Sequence, residues 1–424
     1  MKTGLNRRTF IKSAAAMASF SIVPAHVLRA ETAPSNQLTR ALIGFGGIAN
    51  SGHHLGNKAT RMIAVCDPDA SRVQDGIRKA KARGYGKIHG CKDFREILAM
   101  KDVDIVHICT PPHWHGPISI MAAQAGKDIW CEKPMTRTIG EGKRVMEAIK
   151  ANGSIFRLNT WFRFKSNFYG FGTEVKPIKK VVESGLLGWP LKAVVGGPTG
   201  FNLKFMWSGM TNLTPQPVPE GFDYDLWLGP APYKPYHRHR THETFRGYWD
   251  YDGGGLGDMG QHYLDPVQYL LDKDNTSPIK VEIDCPPQHP DAVGSFDRIT
   301  YTYADGCQII LDGNNSMKGA AFLQGPKGAI WPKMKSDIPN LSAMIDEMPD
   351  PAPQQTDFVE SVRMRRPFAL NERNGFRSST IVNLGITAMR LGRGFKFDPV
   401  KLQAVNDPAA DAFIYQQMRS PWGV

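Results

Sequence analysis

No two cysteines of this 424-residue chain are spaced as Cys-x-x-Cys; the six thiols (Cys66, Cys91, Cys109, Cys131, Cys285 and Cys307) are scattered. That spacing speaks against a zinc knuckle and against a dithiol redox centre, so buried thiols and no metal are expected. No apolar run reaches the roughly 20 residues that a spanning helix needs, so a membrane anchor is not expected. No Lys/Arg tract or basic helix stands out despite a net charge of +12, and a nucleic-acid partner is not expected. Internal repeats and low-complexity tracts are missing as well. What is left is an ordinary globular composition, 41% hydrophobic, in a chain long enough for two domains.

The N-terminus carries a signal of its own. Residues 6–12 read Asn-Arg-Arg-Thr-Phe-Ile-Lys, and a short apolar stretch from Ala14 to Val23 follows. This is the pattern of a twin-arginine (Tat) signal peptide, with Leu28-Arg29-Ala30 as its small-residue cleavage site and a mature chain beginning near Glu31. No cysteine follows that site, so lipidation is not expected. Lys2, Arg7, Arg8, Lys12 and Arg29 lie in this segment with no acid, so the mature chain carries +12 − 5 = +7. Tat export moves proteins already folded. The expected partner is therefore the Tat translocation machinery, and the expected destination is the periplasm.

From Leu38 a short apolar strand runs into Gly44-Phe45-Gly46-Gly47-Ile48-Ala49, a Gly-x-Gly-x-x-Ala turn. Glycines so spaced let the backbone approach a pyrophosphate at a helix N-terminus. A second strand, Met62 to Cys66, ends in Asp67, about twenty residues on, where a carboxylate would bind the adenosine ribose hydroxyls and repel a 2′-phosphate. NAD is favoured over NADP, although Arg72 nearby would suit the phosphate. Helices are expected over about 71–84, 94–100 and 117–125. A strand from Val103 to Cys109 stops at Thr110-Pro111-Pro112-His113-Trp114-His115, and the strand Asp128 to Cys131 delivers Glu132-Lys133-Pro134. Strand and helix alternate as in a parallel α/β sheet, whose ligands gather at the carboxyl ends of the strands. A lysine so placed suits stabilising a forming alkoxide or relaying its proton.

This ordered set resembles the glucose-fructose oxidoreductase / inositol dehydrogenase (Gfo/Idh/MocA) family. The resemblance implies an NAD-binding Rossmann domain over 31–155, after a signal peptide over 1–30, and a substrate-binding α/β domain over 156–424. That second domain would have a large, mostly antiparallel, open-faced sheet. It implies that Lys133 lies beside the nicotinamide and the reacting carbon, with Thr110, Pro111, His113, His115 and Glu132 completing the cofactor site. It further implies a homodimer or homotetramer through the open sheet face, and a late helix, about 378–391, packed back on the first domain.

In the second half, Ile279 to Ile283 alternates, while Asp305-Gly306 and Gly325-Pro326-Lys327-Gly328 are hairpin signals. Met206 to Tyr251 is irregular and rich in aromatics, proline and histidine. Trp161, Arg163, Arg240, His242, Arg246 and Trp249 are the flat and polar side chains expected to bind sugar. Gly253 to Asp265 follows, in which Asp258 and His262, four residues apart, share a helix face and match the family's Asp-x-x-x-His. His262, with an ordinary pKa of about 6.5, suits a general base, and Asp258 would orient substrate or imidazole. Asp265, preceding Pro266, is expected to serve only local turn chemistry.

Three functions remain open on sequence. The first is an exported oxidoreductase passing hydride between a tightly held NAD and a sugar, sugar alcohol or glycoside, with ping-pong kinetics because no free nicotinamide pool exists outside the membrane. The second is an NAD-dependent glycosidase or lyase that oxidises transiently, eliminates and returns the hydride. The third is a non-catalytic sugar-binding protein, which retention of Lys133, Asp258 and His262 together argues against.

Overall fold

The computed structural model describes residues 37–160, 162–164, 173–200, 203 and 206–423. The expected export signal and Trp161 lie outside the described residues. Strand and helix alternate through the first domain: β1 (Thr39–Ile43), β2 (Arg61–Cys66), α1 (Ala70–Ala82), β3 (His89–Cys91), α2 (Phe94–Ala99), β4 (Ile105–Ile108), α3 (His115–Gln124), β5 (Asp128–Glu132), α4 (Ile139–Asn152) and β6 (Phe156–Asn159). The six strands are all parallel in the order β3-β2-β1-β4-β5-β6. Every residue of β1, β4 and β5 is buried, because helices cover both faces of a parallel sheet. The order reverses between β1 and β4, which is where such sheets open a ligand crevice. β6 pairs with β5, so the first sheet runs past the boundary expected at 155.

One expected element is missing. After the glycines, residues 47–56 form successive turns and no regular helix. Gly46, Gly47, Gly52 and Gly56, with Asn50 and Ser51 between them, are poor helix formers whose side chains and backbone favour turns. The anion-binding helix terminus expected there is not formed, and backbone amides of a turn stand in its place.

The second domain runs α5 (Val175–Glu183), β7 (Lys192–Val195), α6 (Tyr224–Leu228), α7 (Gly254–Leu270), β8 (Lys280–Asp284), β9 (Arg298–Thr302), β10 (Gln308–Asp312), β11 (Leu323–Gly325), β12 (Gly328–Trp331), β13 (Lys335–Ser336), α8 (Leu341–Glu347), α9 (Phe358–Met364), α10 (Glu372–Leu391), β14 (Phe395–Asp398), β15 (Gln403–Ala404) and α11 (Pro408–Ile414). Nine strands form one sheet, β13-β12-β11-β7-β10-β9-β8-β14-β15, antiparallel except for the β7–β10 pair. Both expected hairpins form: β9 and β10 flank Asp305-Gly306, and Gly325 pairs with Gly328 between β11 and β12. Strand β8 alternates exposed and buried residues, the pattern of a sheet with one covered face.

The late helix α10 lies against the first domain. A Cβ on Gly142 of α4 would fall 2.6 Å from the Phe376 ring of α10, so only glycine allows that approach. Ser379 and Asn383 of α10 both donate to the Thr136 carbonyl. Gln261 of α7 accepts from the Met135 amide and donates to the Gly375 carbonyl and Ser378 hydroxyl. One buried amide therefore fixes α7 and α10 against the loop that carries Lys133.

Candidate active site

A cavity of about 670 Å³ opens at the switch point between β1 and β4 and runs into the second domain. Its floor is built by the glycine turn that follows β1. Gly44 has φ +88°, and a Cβ there would fall 2.7 Å from the Thr110 amide, so the first glycine brings the β1 and β4 ends together. Gly46 and Gly47 line the cavity, and a Cβ on Gly47 would meet nothing within 4 Å. Asp67 sits behind this loop, accepting from the Phe45 amide (2.8 Å) and the Asp69 amide (2.9 Å). Burial nevertheless lifts its carboxyl to about 6, against the pull of those amides.

Next to the floor, Thr110 and Pro111 line the cavity, whereas His113 and His115 do not. His115 lies between the carbonyls of Pro134 (Nδ1, 2.6 Å) and Thr110 (Nε2, 2.8 Å), and burial lowers its pKa to about 4. A neutral ring has one proton to give, so it brackets the two loops by donating to one carbonyl at a time. His113 Nε2 reaches the Trp227 carbonyl at 2.9 Å, a contact between domains. Both histidines shape the site from behind.

Lys133 and Asp258 meet across the domain boundary. Lys133 Nζ donates to Asp258 Oδ1 at 2.8 Å and to the Asp258 carbonyl, and Arg246 Nε donates to the same Oδ1 at 3.0 Å. Asp258 thus anchors two cations. His262, one turn further along α7, lines the same cavity, with its Nδ1 2.9 Å from the Thr160 hydroxyl at the end of β6. Thr160, which the sequence had not offered for the role, holds one nitrogen of the imidazole. Pro266 lies inside α7 and cannot donate to the His262 carbonyl four residues back.

The glycines before α7 serve close packing. A Cβ on Gly257 would fall 2.0 Å from Asp252 Oδ1, and one on Gly254, at φ +61°, would meet Val293 and the Trp207 carbonyl. Asp252 therefore lies against the start of the helix, accepting from the Gly253 amide at 2.7 Å. Burial and then the neighbouring Asp258 charge raise its carboxyl to about 7. It lines the cavity beside Lys133 and Asp258.

Glu132 also lines the cavity, but its Oε1 is engaged by Asn159 Nδ2 (2.8 Å) and His107 Nε2 (3.2 Å), with His54 Nε2 at 3.4 Å. Burial raises the Glu132 carboxyl to about 8. The ligating atoms of His54, His107 and Glu132 lie within 4.8 Å of one another, a spacing open to a metal. Arg40, which can only donate, points at His107 Nδ1 (3.2 Å), so the proton of that ring sits on Nε2 and faces the carboxylate. With Arg40 and Arg157 alongside, the donor set suits a carboxylate-centred hydrogen-bond cluster better than a cation.

The residues present fit a dinucleotide. The glycine turn is open to the cavity, and Thr110 Oγ1, on a lining residue beside it, is buried without a hydrogen-bond partner. Residues 38–160 match the model of an oxidoreductase family's NAD-binding Rossmann fold, and 171–424 match that family's C-terminal α/β domain. The chain belongs to the Gfo/Idh/MocA oxidoreductase family. The levoglucosan dehydrogenase of Pseudarthrobacter phenanthrenivorans is 34% identical over 158 residues, 36% of this chain and 38% of that one. The inositol 2-dehydrogenase of Salmonella typhimurium is 28% identical over 162 residues, 36% of this chain and 44% of that one. The chain thus aligns with less than half the length of these curated relatives. Among solved structures, the WlbA dehydrogenase of Chromobacterium violaceum, in complex with NADH and UDP-GlcNAcA, superposes with a TM-score of 0.59 at 18% identity, over 88% of this chain and 99% of that one. Levoglucosan dehydrogenase in complex with NADH gives 0.52 at 17% identity, over 84% and 98%.

Of the expected sugar-binding residues in this Gfo/Idh/MocA chain, His242 lines the cavity, and so does Arg246, which lies over the Trp207 ring at 4.9 Å. Arg163 is instead buried in a two-pronged pair with Asp265 (2.8 Å each) and further bonded to Asp274. Asp265 is accordingly the core partner of an arginine and serves no local turn. Arg240 pairs with Asp291, and Trp249 Nε1 donates to the His289 carbonyl; neither lines the cavity. Sequence reasoning did not single out Thr160, Asp252, Trp207 or Trp227. Asp252, directly before three glycines, was the one with a readable signal.

Proposed function

We propose that this chain is an NAD-dependent oxidoreductase acting on a CH–OH group of a sugar, sugar alcohol or glycoside. The observation that carries the reading is the meeting of Lys133, from the end of β5, with Asp258 and the His262 turn of α7 in one cavity that the glycine loop also lines. When bound, the nicotinamide supplies the hydride acceptor. His262, held by Thr160, takes the substrate hydroxyl proton. Lys133, fixed by Asp258, stabilises the negative charge that develops on that oxygen. Trp207 offers an unpaired N–H and, with Phe162, flat apolar faces for a sugar ring. At the reacting end both cations, Lys133 and Arg246, are held by the one carboxylate of Asp258.

NAD is favoured over NADP because Asp67 lines the cavity behind the glycine loop, where its carboxylate repels a 2′-phosphate. Asp252 gives some support to the second reading, net glycoside cleavage: a buried carboxyl held at about 7 is an acid that simple oxidation does not need. The deciding experiment adds a panel of sugars and glycosides to the purified protein while absorbance at 340 nm is followed. A single rise of one equivalent without acceptor supports oxidation. Release of free sugar with a flat trace supports cleavage, and no response with NAD supplied refutes both.

We also propose Tat export to the periplasm with the cofactor already held, and assembly through the open face of the nine-stranded sheet. Replacing Arg7 and Arg8 together by lysine should leave the protein in the cytoplasmic fraction. Equal periplasmic yield of that variant refutes the export reading.

A further inference from the structure

The 221–247 stretch belongs to the second domain in sequence, yet its first residues are fastened to the first domain. Phe222 forms an isolated bridge with Asp69. The Ala70 amide donates to the Gly221 carbonyl (3.1 Å), and the Asp223 amide donates to the Pro68 carbonyl (2.9 Å). Further along, the Trp227 carbonyl accepts from both His113 Nε2 and Trp114 Nε1. The loops so gripped follow β2 and β4, the two that flank the crevice at the carboxyl edge of the sheet. The stretch therefore crosses the mouth of the crevice.

Further along the stretch, His242 returns to the β2 loop. Its backbone has φ +54°, a left-handed conformation uncommon for a non-glycine residue and strained unless its surroundings impose it. Its Nε2 is 3.7 Å from Asp69 Oδ2, and its ring lies 5.4 Å from that of Phe222. A second cavity, about 510 Å³, adjoins the main one around Asn50, Asp69, Ser71 and Asp75, and both are lined by Gly46, Gly47, Arg72 and His242. A ligand long enough to occupy both passes between the glycine turn and His242. Lys133 and His262, at the reacting end, line only the first.

We infer that His242 belongs to the dinucleotide site, not to the sugar site: it and the 221–247 strap close over the adenosine half of the cofactor, so that release requires the strap to detach from the β2 loop. This rests on the proposal that the chain binds a dinucleotide. It also supplies a structural cause for retention. Burial and the adjacent Arg72 lower the imidazole pKa, so the ring that covers the ligand is neutral at working pH.

The test loads the full-length protein with NADH and dilutes it into pyruvate and lactate dehydrogenase, which consume NADH as it is released; the loss of bound-NADH fluorescence is then timed. His242→Ala should shorten the release time by about tenfold or more, equivalent to about 1.4 kcal/mol, and leave the sugar KM within about twofold. Phe222→Leu, which loosens the strap and removes the ring beside His242 while keeping the imidazole itself, should shift release in the same direction. Amide exchange over 221–247 in the wild type should slow when NADH binds. A variant that keeps wild-type release but raises the sugar KM about tenfold overturns the assignment, as does one that changes neither. If His242→Ala does not fold, His242→Gln and Phe222→Leu decide by the same readings. A folded wild type that binds no NADH at any concentration refutes the parent proposal instead, and is recognised before any variant is made.

Discussion

Replacing Arg163 by methionine separates the structural from the functional assignment of that residue. The guanidinium side chain is 1% exposed and the Asp265 side chain 0%, with Nε to Oδ2 and Nη2 to Oδ1 both at 2.8 Å. Methionine fills much of the volume and removes every donor, leaving Asp265 in a place where water cannot replace the lost bonds. Breaking such a pair from one side costs about 3–5 kcal/mol at neutral pH. For a domain of this size that is a fall of roughly 6–20 °C in the melting midpoint.

The pH dependence has a definite sign. Burial already raises the Asp265 pKa in spite of Arg163, so losing the arginine raises it further. A carboxyl whose folded pKa is raised contributes stability that is complete below its unfolded pKa of about 4 and is lost as pH climbs through the folded value. The deficit of the variant should therefore be larger at pH 8 than at pH 5. A companion change, Asp265→Leu, should recover part of it, since a buried pair replaced on both sides is often close to neutral. Scanning calorimetry of the wild type, the single variant and the double variant at both pH values measures this. A variant that melts with the wild type yet raises the sugar KM tenfold would refute the core-pair argument and return Arg163 to the substrate.

Lys133→Met should lower kcat by about 10² to 10⁴, while dinucleotide binding, followed by fluorescence titration, is retained, because the loss falls on charge stabilisation in the transition state. Thr160→Val should cost one hydrogen bond to the imidazole, about 0.5–1.5 kcal/mol or roughly two- to tenfold in kcat, with a displaced pH profile that a purely structural change would not give. Asp252→Asn should flatten the pH dependence of stability: the wild-type carboxyl, raised to about 7, favours the folded state most at acid pH and loses that contribution between about 4 and 7. Melting midpoints at pH 5 and pH 8 that differ equally in wild type and variant would contradict this.

What could be read in the sequence was what local chemistry fixes. Strands β1, β4 and β5 are short apolar runs ending at Gly44, Thr110 and Lys133, and a parallel sheet buried on both faces leaves that signature whatever the rest of the chain does. Lys133, Asp258 and His262 were legible because a strand end and a four-residue helical spacing each constrain where a side chain can go. The roles of Arg163, Arg240 and Trp249 were not, because a polar residue in an aromatic-rich stretch looks the same whether its partner is a sugar or a carboxylate brought in by folding. Asp265 lies 102 residues from Arg163, and no periodicity links them. The proline after Asp265 suggested a turn, yet α7 continues through it, since tertiary packing around Tyr263, Leu264 and Val267, all 0% exposed, outweighs one missing helical bond.

The glycine loop shows the opposite failure, a motif whose expected structure did not form. Gly-x-Gly-x-x-Ala predicted a helix terminus to hold phosphate, but residues 47–56 are too rich in glycine, asparagine and serine for a regular helix and settle into turns. Without an ordered run of peptide dipoles behind it, the loop offers individual amides and little macrodipole. The tight retention proposed above would then draw on contacts elsewhere; Arg72, which donates to the Phe45 carbonyl of the glycine loop, and the strap bearing His242 line the same two cavities as the glycines. On the proposed reading, the glycine turn and the interdomain strap are two parts of one arrangement. Substitutions that restore helix propensity at Asn50 and Ser51, such as alanine at both, should increase dinucleotide affinity in a strap-weakened Phe222→Leu background more than in the wild type, measured by titration calorimetry. Equal gains in the two backgrounds would show that the loop and the strap act independently.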